Sequence, residues 1–149
     1  MGLIIGNRAL QGSSNLPYLQ QQTFDGEETW VPLTFLDRNR VPVVPTSIRV
    51  ELDDLTNSVQ MDNGPLTLNP LGASTTSYTY PAFSSGSPTP WLLQLSATLM
   101  QMTYPYQGSQ ICKLKLVWKA VDSVTAIAFG QTYETIFELV STPTVSGSL

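Results

Sequence analysis

The sequence predicts an all-β protein: an immunoglobulin-like β-sandwich of seven to nine strands with an extended N-terminal arm. Three observations carry this. Several separate runs alternate apolar and polar residues, as half-buried strands do, for example Ile48, Val50 and Leu52 against Arg49, Glu51 and Asp53. Turn residues (Gly, Pro, Asn, Asp) divide the runs at the spacing of a sandwich. No window repeats its apolar residues with a helical period. A chain of 149 residues suits one domain and can bury a core without disulfide or metal staples.

The elements follow in order. Residues 1–28 read as an arm, because "LQGSSNLPYLQQQTFDGEE" has no sustained period and room for one helical turn at most. Fully extended, such an arm reaches roughly 90 Å. Its anchors on other chains are expected to be Leu3, Ile4, Ile5, Leu16, Tyr18 and Leu19, and removal of residues 1–25 is expected to leave a folded sandwich. The sandwich proper spans 29–140. "TWVPLTFLD" puts Val31, Leu33 and Phe35 on one face, and Pro32 marks an edge or first strand. "DRNR" (37–40) turns the chain, "VPVVP" stays extended, and a strand covers 46–53. "SVQM" (58–61) is a short strand closed by the turn Asp62-Asn63-Gly64. "PLTLNPL" places Leu66, Leu68 and Pro70 in phase. Residues 72–90 are loop with a short strand near 75–80, and 91–102 form a long strand with Trp91, Leu93, Leu95, Ala97 and Leu99 inward. "ICKLKLVWKAV" (111–121) turns Lys113, Lys115 and Lys119 outward. After the turn at 122–123, "VTAIAF" and "QTYETIFELV" complete the set, with Tyr133, Phe137 and Leu139 inward, and 141–149 is a C-terminal tail.

Formal net charge is -4 with a sequence pI near 4.5, which argues against nucleic acid, whose phosphates need clustered Lys and Arg. Charged residues make up 12% of the chain, against roughly 25% in ordinary domains, so the surface is neutral-polar and apolar and suits contact with other subunits. No run approaches the roughly 20 apolar residues of a membrane helix. "MGLIIGNRAL" lacks a basic region and a signal-length apolar run, and Gly6 occupies the position where a myristoylation signal has Ser or Thr.

There is no histidine, so the commonest general base and zinc ligand is missing. The lone Cys112 alternates with Leu114, Leu116 and Trp118 and reads as a small buried hydrophobe. The adjacent pairs Glu27–Glu28 and Asp53–Asp54 would point to opposite faces of a strand, so neither forms an acid–base couple. Asp53, Asp54, Asn57, Asp62 and Asn63 supply oxygens for a calcium alternative, but Asp and Asn are also turn formers, and that reading is preferred. The expectation is therefore no catalytic residue, no cofactor and no metal. Contact residues are expected among the aromatics: Trp30, out of phase with the Val31 face, and Tyr78, Tyr80 and Phe83 in a Ser- and Gly-rich loop, which could equally close one end of the sandwich.

The run "VPLTFLDRNRVPVVPTSIRVELDDLTNSVQ" (31–60), with "CKLKLVWKAVDS" (112–123) and "QTYETIFELV" (131–140), resembles small immunoglobulin-like structural proteins of tailed bacteriophages. The likeness covers about residues 29–140; the arm and the loop at 72–90 depart from shorter versions. The resemblance implies a virion component without catalysis, assembled in the host cytoplasm. A capsid cement or decoration protein ranks first, a neck, head-tail or tail adaptor second, and an extracellular binding module third. The implied partners are the major capsid protein or other virion proteins, together with further copies of the chain in a homo-oligomer.

Overall fold

Strict alternation becomes strand where the sequence is most regular. A computed structural model describes residues 8–10 (backbone), 22–84 and 90–141. Its strands are β1 (Arg8–Leu10), β2 (Gln22–Phe24), β3 (Thr29–Phe35), β4 (Ser47–Asp54), β5 (Val59–Gln60), β6 (Leu66–Thr67), β7 (Ala73–Ser74), β8 (Tyr78–Tyr80), β9 (Trp91–Leu95), β10 (Ser109–Val121) and β11 (Ala128–Val140). The only helical piece among the described residues is a 3-10 turn at Pro105–Gln107.

Two sheets form a β-sandwich. One has the order β1-β3-β9-β8-β7; the other has the order β2-β11-β10-β4-β5, with β6 also on β4. The long hairpin β10–β11 pairs from Ser109↔Val140 to Val121↔Ala128 and forms the backbone of the second sheet. The thirteen core positions expected from alternation (Val31, Leu33, Phe35, Ile48, Val50, Leu52, Leu93, Leu95, Leu114, Leu116, Trp118, Phe137 and Leu139) are all at most 1% exposed. The sheets meet edge-on where Phe35 of β3 lies 5.1 Å from Trp118 of β10, and within its own sheet Phe35 lies 5.6 Å from Trp91 of β9, centroid to centroid.

Pairing begins earlier than Thr29. β1 runs parallel to β3 (Arg8↔Leu33), and β2 runs parallel to β11 (Gln22↔Glu138). Asp25 ties in further: its amide donates to Val140 O at 2.8 Å and its carboxylate accepts from Met102 N at 2.8 Å. Part of the segment read as an arm is therefore structural. Sequence periodicity misses it because two three-residue strands are too short to alternate.

Three other expectations shift. The strand expected over 91–102 stops at Leu95. Ser96 turns the chain, its hydroxyl accepting from Leu99 N at 3.1 Å and its carbonyl from Met100 N at 3.0 Å. Leu99, Met100 and Met102 are then buried from a turn, and Ala97 is exposed. Leu66 is 39% exposed, not in phase with buried Leu68, because β6 pairs with β4 for only two residues and Leu68 then hydrogen-bonds Ile48 O. Residues 124–127 are loop, since Asp122 closes the hairpin through Asp122 N to Ile127 O and Ala126 N to Asp122 O, both at 2.9 Å.

Candidate functional site

The two ends of the sandwich differ in construction. At the hairpin end, the loop between β3 and β4 meets the β10–β11 loop, and two aspartates lock them. Asp37 is 1% exposed; its Oδ1 accepts from Asn39 N (2.8 Å) and Val41 N (3.0 Å), and its Oδ2 from Ser123 N (3.1 Å) and the Ser123 hydroxyl. The Ser123 hydroxyl and these amides hold the carboxyl low, at about 2, against the opposing effect of burial. Asp122 accepts from Val124 N (2.8 Å) and Thr125 N (3.0 Å), and the Thr125 and Val124 amides lower its pKa as well. Arg40 and Ala126 sit at φ 62° and 58°, a left-handed backbone that is uncommon without glycine and is held here by the surrounding bonds.

Among exposed polar side chains such as Arg38, Asn39 and Arg40, this frame presents several aliphatic ones. Val41, Val44, Val121, Val124 and Ile127 are 41%, 50%, 44%, 73% and 66% exposed. A groove of about 260 Å³ runs between the loops, lined by Arg38, Asn39, Val124, Ile127 and Phe129 among others. The hydrogen-bonded loops thus hold their aliphatic side chains toward solvent in one arrangement.

The opposite end gathers the turns at 24–28, 55–58 and 103–108. Asp54 is fully buried there and accepts from Asn57 N (3.0 Å), Asn57 Nδ2 (2.7 Å) and the Thr103 hydroxyl (2.7 Å). Gln107 exchanges side-chain hydrogen bonds with Asn57 at 3.0 and 3.1 Å. Tyr104 and Tyr106 are exposed with ring centroids 5.7 Å apart, and Leu55 and Phe24 of the neighbouring turns are exposed as well.

The contact residues expected from the sequence separate into three groups. Leu3, Ile4, Ile5, Leu16, Tyr18 and Leu19 lie outside the described residues. Trp30 is half-buried on β3 opposite Gln94. Tyr78 and Tyr80 are corrections: both rings are buried in the core and unavailable for contact. Each polar tip finds an internal partner, Tyr78 OH donating to Asp62 at 2.6 Å and Tyr80 OH accepting from Asn69 N at 2.9 Å, so the rings can leave water. Phe83 packs edge-on against Trp91 at 5.9 Å and helps close the sandwich. The aliphatic hairpin end was missed: "DRNR" and "DS" read as turns, and "VTAIAF" as strand.

The oxygens of the calcium alternative are divided by the strand's two faces. Asp54 points inward to its Asn57 and Thr103 partners, and Asp53 outward. Asp62 accepts from Leu52 N and Tyr78 OH, and burial raises its pKa. Burial, and then a hydrogen bond with Glu51, push Asp53 up to about 6. Among the described residues no group of three or more His, Cys, Asp or Glu side chains is placed to hold a metal ion. Cys112 is fully buried, and its thiol is pushed up to about 12 by that burial. In the outward lysine row, Lys113 pairs with Glu134 at 3.3 Å.

No family model matches the chain, and no curated protein matches it. Among solved structures, one described as "Structure of PbICP-C in complex with falcipain-2" is similar at 11% identity, over 95% of this chain and 98% of that chain, with a TM-score of 0.35. A likeness at that level carries no functional argument.

Proposed function

We propose that the chain is a non-enzymatic structural protein of a tailed-bacteriophage particle, a capsid cement or decoration protein that docks on the major capsid protein or another virion protein. The observation that carries the docking is the hairpin end: Val41, Val44, Val124 and Ile127 are exposed on two loops braced by Asp37 and Asp122, with exposed Val121 at the adjoining end of β10. A surface ordered before binding loses little conformational freedom when it docks. The sequence likeness over 31–60, 112–123 and 131–140 supplies the particle. The strand order also supports an immunoglobulin-like reading, with β3-β9-β8 facing β11-β10-β4 as strands B-E-D face G-F-C in that fold.

The test is quantitative mass spectrometry of purified particles. A cement protein is present in symmetric shells, on the order of hundreds of copies. Val124→Asp with Ile127→Asp should fold normally and lose occupancy. Absence of the chain from purified particles would sink the reading. A count matching a single ring would favour the neck, head-tail or tail adaptor. One observation supports that second reading: the opposite end also bears exposed apolar groups, Tyr106 at 84% and Tyr104 at 43% exposure, as a bridge between two partners requires.

A further inference from the structure

Four asparagines fall among the described residues, and their surroundings differ. Asn57 is held fast: its Nδ2 donates to Asp54 at 2.7 Å and to Gln107 at 3.0 Å, and its Oδ1 accepts from Gln107. Asn69 accepts from Leu71 N at 3.0 Å and precedes Pro70, which has no backbone N–H. Asn39 precedes Arg40, whose amide donates to Asp37 O at 3.1 Å. Asn63 has none of these restraints. It is exposed in the bend after β5, and among the described residues neither its side chain nor the Gly64 amide has a hydrogen-bond partner. Gly64 sits at φ 101° with open space beside it; a β-carbon built there would meet only Gln60 Oε1, at 3.9 Å.

We propose that Asn63-Gly64 is a self-modification site whose co-reactant is water, and that the change loosens the Asp62 bridge beside it. The Gly64 nitrogen, once its proton passes to solvent, attacks Asn63 Cγ. The N–Cγ bond forms, the Cγ–Nδ2 bond breaks, and Nδ2 takes a proton from solvent and leaves as ammonia. Water then opens the five-membered imide. Opening at Cγ leaves an aspartyl residue; opening at the main-chain carbonyl leaves an isoaspartyl linkage, with the chain routed through the former side chain. Either product carries a carboxylate where a neutral amide stood, so formal net charge moves by one unit, from -4 to -5. The isoaspartyl product also adds a methylene to the backbone directly after Asp62, whose carboxylate joins β4 to β8 by accepting from Leu52 N and Tyr78 OH. The charge of this turn and the hold of that bridge then change with the age of the molecule.

Ageing the full chain in buffer, followed by ion exchange, peptide mapping by mass spectrometry and thermal melts, tests it. An acidic species should accumulate, faster at pH 8 than at pH 6, because the attacking nitrogen must lose its proton. The amide-to-acid mass shift should fall on residue 63, with the isoaspartyl form present. Asn63→Gln should lose that species, since its longer side chain closes a six-membered ring far less readily. Asn39→Gln should keep it. Both side chains face solvent, so the fresh variants should melt with the wild type. The separated acidic species should melt below fresh protein, while aged Asn63→Gln should not. Three results would each overturn the proposal: no acidic species from the folded chain, a mass shift at Asn39 or Asn57 as fast as at Asn63, or a separated isoaspartyl species that melts with fresh protein, which would remove the link to Asp62.

Discussion

Asp37 joins parts of the chain 86 residues apart, accepting from its own turn and from Ser123 across the hairpin end. Its folded pKa, about 2, lies below the ordinary 3.8, so its stabilisation is complete above the unfolded value and fades as pH falls from about 4 towards 2. Asp37→Asn should therefore melt below wild type at pH 6, with the two curves converging towards pH 2. Asp53 has the opposite sign. Its folded value of about 6 lies above 3.8, so its contribution is full below pH 4 and lost as pH rises through 6. Asp53→Asn should melt above wild type at pH 8 and level with it at pH 4. Thermal melts across pH decide both, and an Asp53→Asn curve parallel to wild type would remove the titration as the cause. Trp118 makes a different point. Its ring is fully buried, yet Nε1 has no hydrogen-bond partner among the described residues. Trp118→Ala should cost about 3–5 kcal/mol in denaturant unfolding. Trp118→Phe should cost distinctly less, because it also removes a buried unpaired donor worth about 1–3 kcal/mol of penalty.

Among the elements, β3, β4, β10 and β11 were legible because one face of each is core and the other is not, so period two survives in the letters. What escaped had no period to show. β1 and β2 are recruited by the edges of longer strands, and Leu99 and Met100 are buried from a turn, where alternation means nothing. The Asp37–Ser123 lock at the candidate site was unreadable for a related reason: each half looks like an ordinary turn, and only the fold brings them together. Tyr78 and Tyr80 misled because loop-like neighbours concealed internal partners for their hydroxyls. The short strands bear on truncation. Removal of residues 1–10 takes away β1 alone, and the sandwich should still fold. Removal of 1–25 also takes β2 and the Asp25 bond to Met102 N, exposing the edge of β11 at Glu138–Val140. The longer truncation should melt several degrees lower and aggregate more readily, contrary to the expectation that it leaves the sandwich intact; equal melts would show β2 to be dispensable.

Across the whole molecule, most pairing joins distant parts of the chain, as β3 with β9 and β4 with β10 do, so refolding should be a single slow phase of milliseconds to seconds. The parallel pairing of β2 with β11 has a mechanical consequence. Once the three-residue β1 has come away from β3, tension on the N-terminal side of β2 and the C-terminal side of β11 drags β2 backwards along its own axis and β11 forwards, so the Gln22–Phe24 and Glu138–Val140 bonds are sheared together. An antiparallel terminal pair pulled the same way would instead unzip one bond at a time. Single-molecule pulling from both termini should show one abrupt rupture, and Thr23→Pro, which removes a ladder donor and crowds the parallel pair, should lower the rupture force. A gradual, multi-step extension would show that the load bypasses this clamp. A sandwich fastened in this way resists being drawn out lengthwise by whatever holds its two tails.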